Sequence, residues 1–536
     1  MPEQVTVDVL VAGGGVGGLM AAHHAHRAGA RVVLLGGSGG ASSRISSMIT
    51  SLGDSDIDTP DGLYADMFRA GGAVNRPDLL AALTERIGGE TLELARAGVP
   101  FHFDGGKPAR RQTTGCTWPS AVYSLKMIGV DISRHLLKAM EASASPPLLV
   151  NGGVLLGLDV DDGRVTGGLA YSPRDKRWIS VSASAVVLAT GGAGQLFGTT
   201  TNPRGSKGTG YALALEAGCE LVDMEFVSFE PFITTTPGDT KRHDLPTTVL
   251  KQGAKLRNGL GEEFLDTANA PTKDVICRAM LTEVAEGRGT ENGSVYYDIR
   301  DMEPNVVNHY VQIGQAMRSN GAAAEPGLLQ VMPAQHYLMG GARIDAEAAT
   351  SVPGLFAVGE VAGGAHGGHR LAGAGGMEVV AGGAIAGESA AQYAVGQTAR
   401  STTRLHEERP ELLGTYRSSA KTDQLRIIAD ALHTECGIFR NGGGLSAAAD
   451  AIRGVLEQTR GDAGQAFVTR GAQVALSIAE SARRREESRG DHFRTDYRLR
   501  DDSAWFGNQV VRLADDGGLD FSYEAAPAAS VRRNAK

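Results

Sequence analysis

"VDVLVAGGGVGGLMAAHHAHRAGARVVLLG", Val7 to Gly36, sets the architecture of the chain. An apolar run of strand length meets three glycines, an alanine-rich stretch of helical length follows, and a second apolar run closes the unit. This pattern predicts a βαβ unit. Gly13, Gly15 and Gly18 within it fit G-x-G-x-x-G. One glycine makes the tight turn, one lets backbone approach a pyrophosphate, and one lets helix close on strand. Amides at the helix start then face the phosphates. Placement between strand and helix favours a dinucleotide site over a merely tight turn. The second strand should end in an acidic residue that binds ribose hydroxyls, and Gly36 stands there instead. The adenosine end is therefore expected to be held differently or less tightly.

Two further apolar runs end in glycines: "SASAVVLATGGAG" from Ser182 and "VPGLFAVGEVAGGAHGG" from Val352. The second leads into "MEVVAGGAIAGESAAQYA", a helix of small residues suited to close packing on a cofactor. Between them, Pro237 to Gln335 is more polar, with helix and strand signals of its own, and reads as an inserted domain. Beyond about Gly396 the periodicity turns helical, as in "LSAAADAIRGVLEQ" and "QVALSIAESARRREESRG".

The 536 residues are 42% apolar and 21% charged, ordinary for a globular protein with two or three domains. A formal net charge of -9 and no basic stripe argue against a nucleic-acid partner. The cluster "RRREESRG" is balanced by its own glutamates and reads as a solvated helix face. Cys116, Cys219, Cys277 and Cys436 are far apart, with no CxxC pair, so no disulfide framework, zinc site, iron-sulfur site or other metal is signalled. A reducing, cytoplasmic setting is expected. No signal-peptide pattern opens the sequence, and no apolar run reaches the roughly 18 to 20 residues of a membrane span. Any membrane contact is expected to be peripheral.

In "QHYLMGGARID", Gln335 to Asp345, one histidine stands before paired glycines, and other stretches converge on it. With "LATGGAGQLFGTTTNP", "DMEFVSFEP", "KDVICRAMLTEVAEGRG", "GLFAVGEVAGGAHGGHRLAGAGGME" and "ESRGDHFRTDY", the chain resembles the flavoproteins of the succinate dehydrogenase and fumarate reductase family, which includes L-aspartate oxidase. The resemblance covers nearly the whole length. It implies an α/β fold: a discontinuous Rossmann-like FAD-binding domain (1–236 and 336–396), an inserted α+β capping domain (237–335) and a C-terminal helical domain (397–536). The cofactor-binding positions it implies are Gly13, Gly15, Gly18, Ser43, Gly191, Gly192, Gly359, Glu360 and Gly376.

The implied activity is hydride exchange between flavin N5 and one carbon of a small carboxylic acid, with a side chain moving the proton on the neighbouring carbon. His336 matches the family histidine that hydrogen-bonds a substrate carboxylate, and Arg370 the arginine that clamps it through paired donors. Two positions depart. Glu230, in "FEPF", replaces a second substrate-facing histidine, and Lys273, in "TKDVICR", replaces the arginine that shuttles the proton. Glu230 is protonated, pairs with Lys273, or receives an ammonium group of the substrate. A surface lysine in a helix first turn is the bland alternative for Lys273. Arg44 stands where the membrane-complex members carry a covalent flavin histidine, which implies noncovalent FAD. Ordinary succinate and fumarate are expected to be poor substrates. The expected alternatives are an amino-acid oxidase of the L-aspartate oxidase type, a flavoprotein subunit that docks an iron-sulfur partner, and a flavin protein that has lost its activity. The electron partner is a quinone, an iron-sulfur protein or oxygen.

Overall fold

The computed structural model describes residues 3–37, 39–124, 127–235, 242–266, 272–304, 307, 310–319, 327–397 and 423–526. The expected domain boundary at 236/237 lies outside these residues, and of the C-terminal domain expected over 397–536 they include 397 and 423–526. The N-terminal unit forms as its pattern dictates: strand β1 (Glu3–Ala12), helix α1 (Val16–Arg27) and strand β2 (Val32–Leu35). β2 is buried throughout, and β1 is buried from Val9 onward, because parallel strands are covered on both faces. The sheet continues with β3 (Leu148–Val150), β4 (Val154–Asp161), β5 (Arg164–Ser172) and β6 (Arg177–Leu188) in the order β3-β2-β1-β6-β5-β4. β1, β2, β3 and β6 are mutually parallel, while β4 and β5 extend β6 as an antiparallel meander.

A second, antiparallel sheet uses β7 (Val227–Thr234), β8 (Lys255–Arg257), β9 (Val295–Asp298) and β10 (Leu328–Leu338) in the order β7-β10-β9-β8. Helix α2 (Lys273–Ala285) lies between β8 and β9 in the chain. Leu256, Ile276, Tyr297 and Leu329 belong to a hydrophobic core of its own, distinct from that of the parallel sheet. The polar stretch read as an insertion is thus an α+β unit whose first strand, β7, starts at Val227 and whose last ends at Leu338.

The chain then returns to the first sheet. β11 (Leu355–Ala357) pairs in parallel with Val186–Leu188, and helix α3 (Ala374–Ala394) packs on α1. The small residues of α3 are required by that contact: a Cβ at Gly387 would stand 2.3 Å from Ala21 O, and one at Gly383 2.6 Å from Met20 Cβ. Helices α4 (Asp423–Glu435), α5 (Gly442–Thr459) and α6 (Ala466–Arg484) follow. Among the described residues the expected C-terminal helical segment is not all helix. β12 (Gly507–Leu513) and β13 (Leu519–Ala525) form a hairpin, and β12 pairs with Leu221–Val222, fastening this hairpin to the middle of the chain.

Candidate active site

Close backbone approach builds the glycine turn. Gly13 has φ 126°, and a Cβ there would lie 2.0 Å from Ala189 O. At Gly18 the same atom would lie 1.8 Å from Gly13 O. Gly15 is the N-cap of α1, whose first turn has neither a side-chain cap nor an acidic residue, so its positive end is open to an anion. Gly36 has φ 124°, and a Cβ there would meet Gly14 N at 2.5 Å. That approach leaves no room for the expected acidic side chain. The amide of Val16 donates to Ser42 Oγ at 3.0 Å, whereas the Ser43 hydroxyl donates to Gly40 O at 2.8 Å. Of the two serines, the structure puts Ser42 at the glycine turn.

Gly191 and Gly359 have φ 74° and 76°. At Gly192 the Cβ position is filled by the Glu360 carboxylate, 2.1 Å from Oε1. Glu360 Oε1 accepts from the Leu338 amide at 3.0 Å, which ties the loop after β11 to the strand that carries His336. Burial pushes this carboxyl up to about 8. Gly376 lies in the first turn of α3, where a Cβ would stand 2.7 Å from Met48 Cβ. A capless helix start, glycines too tightly placed for any side chain and a small-residue helix beside them fit a dinucleotide lying along the sheet end.

The other four sequence-predicted residues come from four places: Glu230 on β7, Lys273 at the start of α2, His336 on β10, and Arg370 in the loop before α3. Lys273 Nζ pairs with Glu230 Oε2, and the same oxygen lies 3.7 Å from His336 Nε2. Glu230 is buried, so its charge is set against the lysine instead of water. His336 Nδ1 lies 2.8 Å from Thr201 Oγ1, and Asn202 Nδ2 donates to His336 O at 2.6 Å. Desolvation, with the cations of Lys273, Arg370 and Arg44 nearby, holds this imidazole well below its usual range. His336 is thus a neutral ring whose orientation Thr201 sets.

Arg370 is different. Its guanidinium lies over the Tyr337 ring at 4.5 Å, while Tyr337 donates to Glu378 Oε2 at 2.6 Å. His366 Nε2 meets that same oxygen at 2.8 Å. The Nε of Arg370 is buried and has no hydrogen-bond partner among the described residues. A buried donor left open in a well-packed protein marks the place of a missing acceptor. Arg44 donates to Thr201 O.

Sequence reasoning does not single out Thr201, Tyr337 or Glu378. Thr201 lies inside the quoted "GTTTNP" run and Tyr337 directly after His336, but their roles arise from pairing across 135 and 41 positions of chain.

Residues 8–375 match the model of the FAD binding domain, and residues 426–534 that of the fumarate reductase flavoprotein C-terminus. A fumarate reductase (CoM/CoB) polypeptide of Methanothermobacter marburgensis is 31% identical over 473 residues, 82% of this chain and 84% of that one. L-aspartate oxidase of Streptomyces coelicolor is 32% identical, covering 96% of this chain and 93% of its own. Among solved structures, Mycobacterium smegmatis Sdh1 in complex with UQ1 superposes with a TM-score of 0.86 at 25% identity, covering 98% of this chain and 95% of that one. The glycine turn, the antiparallel insertion and the C-terminal helices all lie in these shared regions. The chain belongs to the FAD-dependent oxidoreductase family that contains the fumarate reductase and succinate dehydrogenase flavoproteins and L-aspartate oxidase.

Proposed function

We propose that the enzyme oxidises or reduces a small carboxylic acid that Arg370 and His336 hold by one carboxylate. The observation that carries this reading is the open, buried Nε of Arg370 beside a neutral His336. Stacking on Tyr337 fixes the guanidinium plane, so its donors are aimed before substrate arrives. His336 adds one hydrogen bond to the same anion. FAD, when bound, accepts or gives the hydride at N5. Lys273 moves the proton on the adjacent carbon, with Glu230 as the counter-charge that stays with it through the transfer. No residue of the glycine turn takes part in proton movement; it binds.

Glu230 also shapes specificity. An acid, not a donor, faces the far end of the substrate, and it stands 3.7 Å from His336. A second carboxylate there meets no free donor, whereas a neutral, hydroxylated or cationic group does not need one. Ordinary succinate and fumarate are therefore poor substrates in this reading. Arg44, which offers no attachment chemistry to the flavin, supports noncovalent FAD. Acid precipitation should leave the flavin colour in the supernatant.

Anaerobic bleaching of the bound flavin by a panel of mono- and dicarboxylates and L-aspartate tests the proposal. Bleaching by a monoacid or hydroxy acid supports it, and bleaching by none, with no reoxidation by their unsaturated counterparts, sinks it. Fast bleaching by L-aspartate favours a second reading, an amino-acid oxidase, which rests on the nearly end-to-end match with the S. coelicolor enzyme.

A further inference from the structure

Behind Lys273 and Arg370 lies a second cluster that the proposed reaction does not use. Each of its two nearest members is the chain neighbour of a site residue: Asp274 follows Lys273, and His369 precedes Arg370. The third, Asp491, comes from the loop after α6. Their ionisable atoms lie within 4.8 Å of one another, and His369 Nδ1 meets Asp491 Oδ2 at 3.0 Å. His369 and Asp491 are buried. Around them, Arg278 Nη2 pairs with Asp274 Oδ2 at 2.8 Å, and its guanidinium lies 5.0 Å from the centre of the Phe493 ring. The Asp491 amide donates to Gly368 O at 2.9 Å. Two carboxylates, one guanidinium and one imidazolium make a neutral set, so no added cation is needed to balance the cluster.

We propose that His369 is a positioning residue which, as the shared partner of Asp274 and Asp491, holds the first turn of α2 against the loops that carry Arg370 and Asp491, and so sets Lys273 against Arg370. This rests on the reading of Lys273 and Arg370 given above. The geometry makes the hold dependent on the imidazole's charge. An imidazolium between the buried Asp491 and the half-buried Asp274 is attracted from both sides, whereas a neutral ring leaves Asp274 facing only Arg278. Burial disfavours the imidazolium most, yet the charged groups that face His369, Asp491 and then Asp274, together outweigh burial and the opposing Arg370 and raise its titration above the usual histidine range. A histidine whose folded value is raised contributes stability fully below about 6.5, and that contribution is lost as pH rises through the folded value. The hold is therefore firm in acid and weakens toward alkaline pH. Saturating substrate restores the closed arrangement by mass action, so the loss falls on KM more than on kcat.

The test compares wild-type holoenzyme with His369→Gln and Asp491→Asn between pH 6 and 9. In the wild type, KM should rise with pH while kcat changes less. In both variants KM should be raised about tenfold already at pH 6 and stay nearly flat. A substrate-independent measurement accompanies this: the thermal midpoint of the wild type should lose its advantage over His369→Gln as pH rises. Parallel KM profiles and parallel melting profiles in wild type and His369→Gln would overturn the proposal. If no carboxylic acid is turned over, the reading of the site fails, and the melting profiles alone then decide the role of His369.

Discussion

Arg485 and Arg370, the latter half-buried with a buried Nε, are both arginines stacked on aromatic rings, and their donors are used in opposite ways. Arg485, fully buried, gives Nε to Glu225 Oε1 at 2.7 Å, Nη1 to Glu487 Oε1 at 2.8 Å and to Trp505 O at 3.0 Å, and Nη2 to Gly507 O at 2.9 Å. Its guanidinium lies 4.9 Å from the centre of the Phe226 ring. Arg370 lies over Tyr337 at a similar 4.5 Å, yet its Nε is without an acceptor among the described residues. Filled donors hold the molecule's own segments together, whereas an open buried donor is available to an acceptor from outside. Aromatic stacking does not by itself separate scaffold from site; the acceptor inventory does.

The strongest way to break this comparison is to remove Arg485. Arg485→Met leaves Glu225 and Glu487 as buried charges short of a partner, which costs about 3–5 kcal/mol in such sites. Denaturant unfolding should show a loss of that order, with flavin release at a lower denaturant concentration. A loss below about 1 kcal/mol would mean that the filled donors do not hold the fold.

Next in size is Arg370→Ala. Loss of a forked clamp that both binds and orients the carboxylate should lower kcat/KM about a thousandfold. Stability should not fall, since the residue removed carries an unmet buried donor. Arg370→Lys should recover part of the activity, keeping the charge but not the fork. An Ala variant that melts well below the wild type would make Arg370 a second Arg485.

The contrast between the two arginines is only half visible in the sequence. Val7 to Gly36 shows its βαβ order because the pattern is local: strand, turn and helix are contiguous, Gly18 and Gly36 answer contacts within the unit, and Gly13 a contact with the residues that follow β6. The motifs around His336 and Arg370 point to them as candidate site residues, and the structure puts Lys273 and Arg370 near His336. "RRREESRG" reads as a solvated face, and the structure corrects this, since Arg485, Glu487 and Arg489 are buried. The partners that make this possible, Glu225 and Gly72, lie 260 and 417 positions away, beyond any helical periodicity. The β12–β13 hairpin escapes a sequence reading for a related reason: its anchor at Leu221–Val222 is on the far side of the insertion. Among the three states open to Glu230, the structure provides the ion pair with Lys273, which spacing alone could not select.

Glu230→Gln sharpens the comparison at the edge of the site. The variant keeps the shape but frees Lys273 from its counter-charge, turning a closed pair into an open donor like Arg370. Selectivity for dicarboxylates over monocarboxylates, as a ratio of kcat/KM values, should rise about tenfold, since one exposed charge near a second carboxylate is worth on the order of 1 kcal/mol or slightly more. Lys273 already offsets Glu230 in the wild type, which is why a larger change is not expected. An unchanged ratio would remove Glu230 from specificity.

The smallest effect expected is at Thr201, which in the proposed site acts on substrate only through His336. Its hydroxyl lies 2.8 Å from Nδ1, so it sets the ring plane and decides which nitrogen can donate toward the carboxylate. Its backbone is held independently, the amide donating to Gln335 O at 2.9 Å and the carbonyl accepting from Arg44. Thr201→Val therefore removes one hydrogen bond without moving the chain, a change of about 1 kcal/mol or a roughly fivefold loss in kcat/KM. Thr201→Ser, which keeps the hydroxyl, should restore most of it. The loss should be absent when His336 has already been changed to Ala, because Thr201 then has no ring to hold. An undiminished loss in that background would show that Thr201 acts on the substrate or cofactor directly, and would move it from the filled, scaffold-like class of donors to the open class that Arg370 represents.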